Sequence, residues 1–291
     1  MILKTRLQDY ATFHQSKWEI VEQDYVLSWV LAGMTFLPEL SSALVFKGGT
    51  CLRKCYFGDY RFSQDIDLSV MGNSGSLESS LENHIHKACV LAEELVQDQG
   101  TAFYLRSEPY LEKRPHPEGQ KAFRVQAKLP WHRDFNTTIY IEVSFSEAVI
   151  LPPVQKKIIH PYGEQFDYSI NAYDINEIVA EKIRALLQFA KKLHERGWGR
   201  SRVRDYYDLW RILSFYREDI SKAALPDLVR KKCAHKEIDF KGIESIFQEK
   251  LLLNFEEEWE FWLKDVVGPD LPDRHLVLKD LREQLTKIFH C

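Results

Sequence analysis

Asp65 and Asp67 lie two residues apart in Asp65-Ile66-Asp67-Leu68-Ser69-Val70, a run that alternates in polarity. In an extended strand such residues share a face, with side chains roughly 6 to 7 Å apart. Two carboxylates so placed repel unless a cation sits between them, and magnesium prefers hard oxygen ligands together with substrate phosphates. The chemistry this suits is an in-line displacement at phosphorus, clamped by metal ions about 4 Å apart. Taken alone, a DxD is better explained as a solvated acidic surface.

A second element changes that balance. Lys47-Gly48-Gly49-Thr50 falls between an apolar run and the polar start of a helix. Glycines let backbone come close to a polyphosphate, and N–H groups at a helix start favour anions. A Gly-Gly turn chosen for geometry alone is the simpler explanation until the DxD follows it. Together they place a phosphate cradle and a metal clamp on neighbouring elements. In Thr138-Ile139-Tyr140-Ile141-Glu142-Val143 the apolar residues share one face and Glu142 the other. Glu142 is a candidate metal ligand or general base, with an ordinary surface glutamate as the alternative.

Two further candidates stand much later in the chain. The helical seam Ile175, Val179, Lys182, Leu186, Phe189, Leu193 is apolar except for Lys182, which must snorkel or meet an anion. Asp205 and Asp208 follow one turn apart in Arg204-Asp205-Tyr206-Tyr207-Asp208-Leu209. Either aspartate could orient Lys182, and a surface Arg204–Asp208 pair is the competing arrangement.

The elements that must carry these residues can be read from periodicity. Residues 7 to 35 hold apolar positions at helical spacing, Leu44-Val45-Phe46 reads as a short buried strand, and Asp65 to Val70 as a second one. Ser76 to Gln99 is a long helix stopped by Gly100. Strands are expected near 101–106, 122–129 and 137–145, the first two joined by a polar loop from Pro109 to Gly119. Asp174-x-x-Glu177 is a capping-box variant opening a helix to about Leu193, followed by a Gly-Trp-Gly turn and a helix over 201–216. From Glu218 onward the pattern is almost wholly helical. We therefore expect an α+β chain with a mixed sheet and helices over residues 1–170 and a helical domain over 171–291.

Composition excludes several classes. With 45% hydrophobic and 28% charged residues the chain is neither disordered nor fibrous. No run approaches the roughly 18 to 20 apolar residues of a membrane span, and the N-terminus lacks a secretory pattern, so a cytoplasmic location is expected. Cys51, Cys55, Cys89, Cys233 and Cys291 show no paired CxxC spacing and read as free structural thiols. A formal charge of −4 argues against coating nucleic acid through a global field, so a nucleic-acid substrate needs a local basic patch. Lys191, Lys192, Arg196, Arg200, Arg202 and Arg204, with Trp198 available to stack on a base, form such a patch. A solvated helix end explains them equally well.

Lys47-Gly48-Gly49-Thr50-x-Leu52-x-Lys54 followed by Arg61-Phe62-Ser63-x-Asp65-Ile66-Asp67-Leu68 resembles the signature of the AbiEii/AbiGii abortive-infection toxins. These are nucleotidyltransferases of the DNA polymerase beta-like superfamily, with the mycobacterial MenT toxins among their relatives. Ala180-Glu181-Lys182-x-x-Ala185-Leu186 and Arg204-Asp205-x-Tyr207-Asp208-Leu209 are similar to the downstream motifs of that family, and the resemblance spans roughly residues 40 to 215. Cys51 departs from the small alanine or serine common at its position.

The resemblance implies a polymerase beta-like lobe, a helical lobe, and a nucleotide between them. It implies that Asp65 and Asp67 bind magnesium and that Gly48, Gly49, Thr50 and Ser63 hold the triphosphate. Lys182 and Asp205 would complete the site, with Lys47, Arg53, Lys54 and Arg61 as further nucleotide contacts. Relatives act within toxin–antitoxin pairs, and some transfer a nucleotide to tRNA, so a nucleoside triphosphate, an RNA acceptor and a separate antitoxin are the expected partners. A small-molecule or protein acceptor on the same fold is the alternative, as is a silent nucleotide-binding module. The intact DxD, Lys182 and Asp205 speak against a silent module.

Overall fold

In the computed structural model, residues 2, 4–72, 75–111 and 119–289 are described. Cys291 and most of the loop expected after Pro109 lie outside them. The chain divides into two compact units, Met1–Tyr173 and Asp174–Cys291.

The first unit is built on a seven-stranded mixed sheet of order β3-β4-β5-β2-β1-β7-β6. Its strands are β1 (Leu44–Lys47), β2 (Asp65–Val70), β3 (Tyr104–Tyr110), β4 (Gln120–Lys128), β5 (Thr137–Ser144), β6 (Val154–Lys157) and β7 (Ser169–Ala172). The pairs β1–β2, β3–β4, β4–β5 and β6–β7 are antiparallel. The pairs β2–β5 and β1–β7 are parallel. The expected apolar alternation is realised: Ile66, Leu68, Phe123, Val125, Ile139, Ile141 and Val143 are all buried.

Helices α1 (Lys4–Phe13), α2 (Trp18–Thr35), α3 (Pro38–Ser41), α4 (Gly48–Cys51) and α5 (Gly75–Asp98) belong to the same unit. Helix α2 is buried on nearly every side from Ile20 to Met34, and it packs on α5 and the sheet. Close approach of the two helices requires Gly33, where a side chain would run into the backbone of Ala88. After α4 the backbone widens into a π-helical turn, Leu52–Phe57. The Gly58 N–H there donates to the Arg53 carbonyl five residues back.

Two expectations shift. Strand β3 starts and ends later than its sequence pattern suggests and takes in Pro109, because its limits are set by pairing with β4. As an edge strand it tolerates a residue that cannot donate. Strands β6 and β7 were not anticipated: four residues each are too few to display a period.

The second unit contains α6 (Ile175–Arg196), α7 (Val203–Phe215), α8 (Leu225–His235), a 3-10 turn (Ile243–Phe247), α9 (Glu249–Val267) and α10 (Arg274–Phe289). Asp174 caps α6 by accepting from the Asn176 N–H at 2.8 Å, and Gly197 closes it with φ +77°. The other half of the expected capping box, Glu177, is buried and its carboxylate reaches Lys232 at 2.7 Å. Tyr206, Phe255 and Trp259 form an aromatic core between α7 and α9.

Candidate active site

The sheet register gathers residues that are far apart in sequence. Across β1 and β2, Lys47 pairs with Asp67; across β2 and β5, Asp67 pairs with Glu142 and Asp65 with Tyr140. Paired residues point to the same side of a sheet, so Lys47, Asp67 and Glu142 form one row, about 4.8 Å from strand to strand. Asp65, Asp67 and Glu142 are half-buried while Ile66, Ile141 and Val143 face the core. Glu142 therefore stands beside the DxD motif.

The turn after β1 fits closely over the same face. Gly48 has φ +78°, in the left-handed region that favours glycine, and a β-carbon there would overlap the Asp67 carboxylate. A β-carbon at Gly49 would come within 2.5 Å of Arg61 Nη2. Thr50 is buried and its hydroxyl donates to the Asp65 carbonyl, tying α4 to β2. Arg61 is buried, with Nη1 donating to the Phe62 carbonyl at 3.3 Å. Ser63 is half-buried just before β2. Lys47, Gly48, Gly49, Thr50, Arg61, Asp65, Asp67 and Glu142 are thus brought together around β1, β2 and β5.

Arg53 and Lys54 are placed elsewhere. Both are buried and turned toward α2, where Arg53 Nε lies 2.7 Å and Lys54 Nζ 2.6 Å from the two oxygens of Asp24. Tyr162 donates to the same carboxylate at 2.6 Å, and Ser28 Oγ receives Lys54 at 2.9 Å. Their charges are engaged inside the unit with Asp24, whereas the family resemblance put both among the nucleotide contacts. Burial favours a protonated Asp24 carboxyl, but Arg53 and Lys54 outweigh it and hold the pKa well below the carboxylate range. For Lys54 burial wins over the pull of Asp24, and its ammonium is pushed down to about 8. Sequence reasoning missed Asp24. Its signal was a carboxylate on the most apolar helix of the chain. Burial and the neighbouring Cys55 raise the Cys51 thiol well above its ordinary value, consistent with a structural role. Cys51, Cys55, Cys89 and Cys233 are all free and buried.

In the second unit, Lys182 is buried and meets anions: its Nζ lies 2.9 Å from Asp205 Oδ1 and 2.6 Å from Asp208 Oδ2. Arg202 Nη1 reaches the other Asp205 oxygen at 3.3 Å. Asp208 is wholly buried rather than at the surface, and Arg204 lies over the Trp262 ring. Burial tends to raise the pKa of Asp205, but Lys182 and then Arg202 outweigh it, so the carboxyl titrates below its ordinary value. In the basic set, Lys191, Lys192, Arg196 and Arg200 are exposed, and Trp198 is 71% exposed between them.

The profile of the nucleotidyl transferase AbiEii toxin family of type IV toxin–antitoxin systems matches residues 29–287, which takes in the residues around β1, β2 and β5 and the Lys182 cluster but not Asp24 or Ser28. The chain belongs to this family. Its fold is similar to that of MenT4, a nucleotidyltransferase toxin from Mycobacterium tuberculosis H37Rv, with 16% identity and a TM-score of 0.57 over 98% of this chain and 99% of the other. It is also similar to a nucleotidyltransferase described as putative from H. pylori, with 14% identity and a TM-score of 0.54 over 92% of this chain and 93% of the other. At these identities the likeness concerns the fold. No curated protein matches the chain in sequence.

Membership makes the metal question concrete. Among the described residues, no group of three or more His, Cys, Asp or Glu side chains forms a cage for a metal ion. The donor set around β2 is a pair of carboxylates on one face with a third across the register, all half-buried. Hard carboxylate oxygens fit magnesium, which is commonly held by one or two carboxylates and completed by water and substrate phosphate.

Proposed function

We propose that this chain transfers a nucleoside monophosphate from a nucleoside triphosphate to RNA, with tRNA as the acceptor and magnesium as the cofactor. In this function it is the toxin of a cytoplasmic toxin–antitoxin pair, and the partner is a separate antitoxin protein. The observation that carries the proposal is the row Lys47, Asp67, Glu142 with the Gly48-Gly49 turn at one end. None of the described helices is long and apolar enough to cross a membrane.

The row has a direction. Gly48, Gly49, Thr50, Ser63 and Arg61 receive the triphosphate at the β1 end, with Lys47 beside them. Asp65 and Asp67 would hold magnesium, and the chemistry it would supply when bound is charge neutralisation at the transferring phosphate. Attacking and leaving oxygens lie roughly in line across phosphorus. With pyrophosphate leaving over β1, the acceptor hydroxyl approaches over β5. Glu142 stands on that side and takes the hydroxyl proton as the new P–O bond forms and the bond to pyrophosphate breaks. Lys182 and Asp205 enter through the family motif they match.

The test is incubation of the protein with magnesium, total tRNA and each labelled ribonucleoside triphosphate in turn, beside Asp65→Ala and Lys182→Ala. Label on tRNA from wild type that vanishes in both variants is the expected result. Unlabelled RNA in every lane would remove RNA as the acceptor and leave small molecules and protein side chains.

A further inference from the structure

The polar face of β3, β4 and β5 continues the sheet beyond Glu142, on the side away from the Gly48-Gly49 turn. Tyr140 occupies the position across from Asp65 on β5, one strand from the DxD motif and on its face. Tyr110 stands on β3, with Ala122 between it and Glu142 in the adjacent row. The small Ala122 leaves the two tyrosines room to lean over β4. Their ring centroids come to 4.8 Å, tilted by 44°, and both side chains remain half-buried on a face that also carries Glu108, Arg124, Gln126 and Glu142. Next to Tyr140, Arg124 is half-exposed and paired with Glu108.

The hydrophobic core lies on the opposite face, under Phe123, Val125, Ile139 and Ile141. Aromatic rings beside a basic group on a sheet face are how single-stranded nucleic acid is commonly held, because every base offers a π-face.

Resting on the nucleotidyl transfer proposed above, we infer that Tyr140, backed by Tyr110, is the stacking platform for the 3′-terminal base of the acceptor strand. Direction identifies the occupant. The triphosphate cradle lies at the β1 end, so an in-line attack brings the acceptor in over β5, where Tyr140 stands beside Asp65. A base stacked there sets the terminal ribose over the carboxylates and adjacent to Glu142.

Binding tests this without needing turnover. A short 5′-fluorescein-labelled single-stranded RNA and the same RNA with an abasic 3′-terminal nucleotide are titrated by anisotropy against wild type, Tyr140→Ala and Tyr140→Phe. Wild type is expected to bind the intact probe about tenfold more tightly than the abasic one. Tyr140→Ala binds both probes alike, at the abasic level, and Tyr140→Phe retains the discrimination. Wild type that fails to discriminate overturns the inference, and so does Tyr140→Ala that weakens both probes by the same factor. Loss of binding to a fluorescent nucleoside triphosphate in Tyr140→Ala, with probe discrimination intact, assigns the ring to the donor and also overturns it. Failure of label transfer by wild type bears on the proposed function alone, since the two probes are compared without turnover.

Discussion

The Asp67 carboxylate occupies the space in which a side chain at residue 48 would begin, so Gly48 and Asp67 can coexist only while residue 48 has none. The turn that would receive phosphate and the strand that would hold metal are therefore fitted to each other. Gly48→Ala combines that overlap with a left-handed backbone, and we expect a loss of about 1 to 2 kcal/mol in stability. Displacement of Asp67 should lower nucleotide transfer about tenfold or more. Urea unfolding and label transfer on the same protein separate the two effects.

Magnesium binding to the folded chain alone should raise its thermal midpoint, since a ligand that favours the native state adds stability by mass action. Asp67→Asn and Asp65→Asn should each abolish that rise while folding normally, because both side chains are half-buried on the polar face of β2. Differential scanning fluorimetry across a magnesium series checks this. A full rise in both variants would remove the DxD motif as the metal site.

Asp24 lies between two buried cations, Arg53 and Lys54, on the segment that follows the glycine turn. Asp24→Ala leaves both cations without it and should cost about 3 to 5 kcal/mol. Its functional mark should be a raised KM for the nucleoside triphosphate, because the π-helical turn behind Gly48-Gly49 loses its anchor to α2. An unchanged KM in a folded variant would confine Asp24 to stability.

Asp205 and Asp208 share Lys182 but differ in exposure, 13% against 0% for their side chains. Asp208→Asn should therefore cost more, about 3 kcal/mol, than Asp205→Asn at about 1 kcal/mol. The pH dependence follows from the lowered pKa of Asp205 in the folded chain. Between the folded and unfolded pKa values the unfolded chain binds more protons. The stabilisation is thus complete above the unfolded carboxylate value of about 3.9 and is lost as pH falls below it toward the folded value. Urea midpoints from about pH 5 to about pH 3 should drop more steeply for wild type than for Asp205→Asn.

Much of this was present in the one-dimensional pattern. Strand β2 runs over Asp65–Val70, as its alternation indicates, because a period of two is a local property of the chain. Lys182 on an apolar seam announced a buried anion, and Asp205 and Asp208 supply it. For Arg53 and Lys54 the family resemblance suggested nucleotide contacts, and nothing nearby in sequence reveals their partner Asp24, which is 29 and 30 residues away.

The sequence by itself determined the DxD strand, the glycine turn before it, the order of the helices and the family motif, since each depends on spacing within one element or across one turn. Only the tertiary structure decided that Glu142 stands opposite Asp67, that Tyr140 stands beside Asp65, and that Tyr110 reaches over Ala122 toward Tyr140. Those relationships depend on strand order and register between segments many tens of residues apart, and a slip of one residue would send every one of these side chains to the other face.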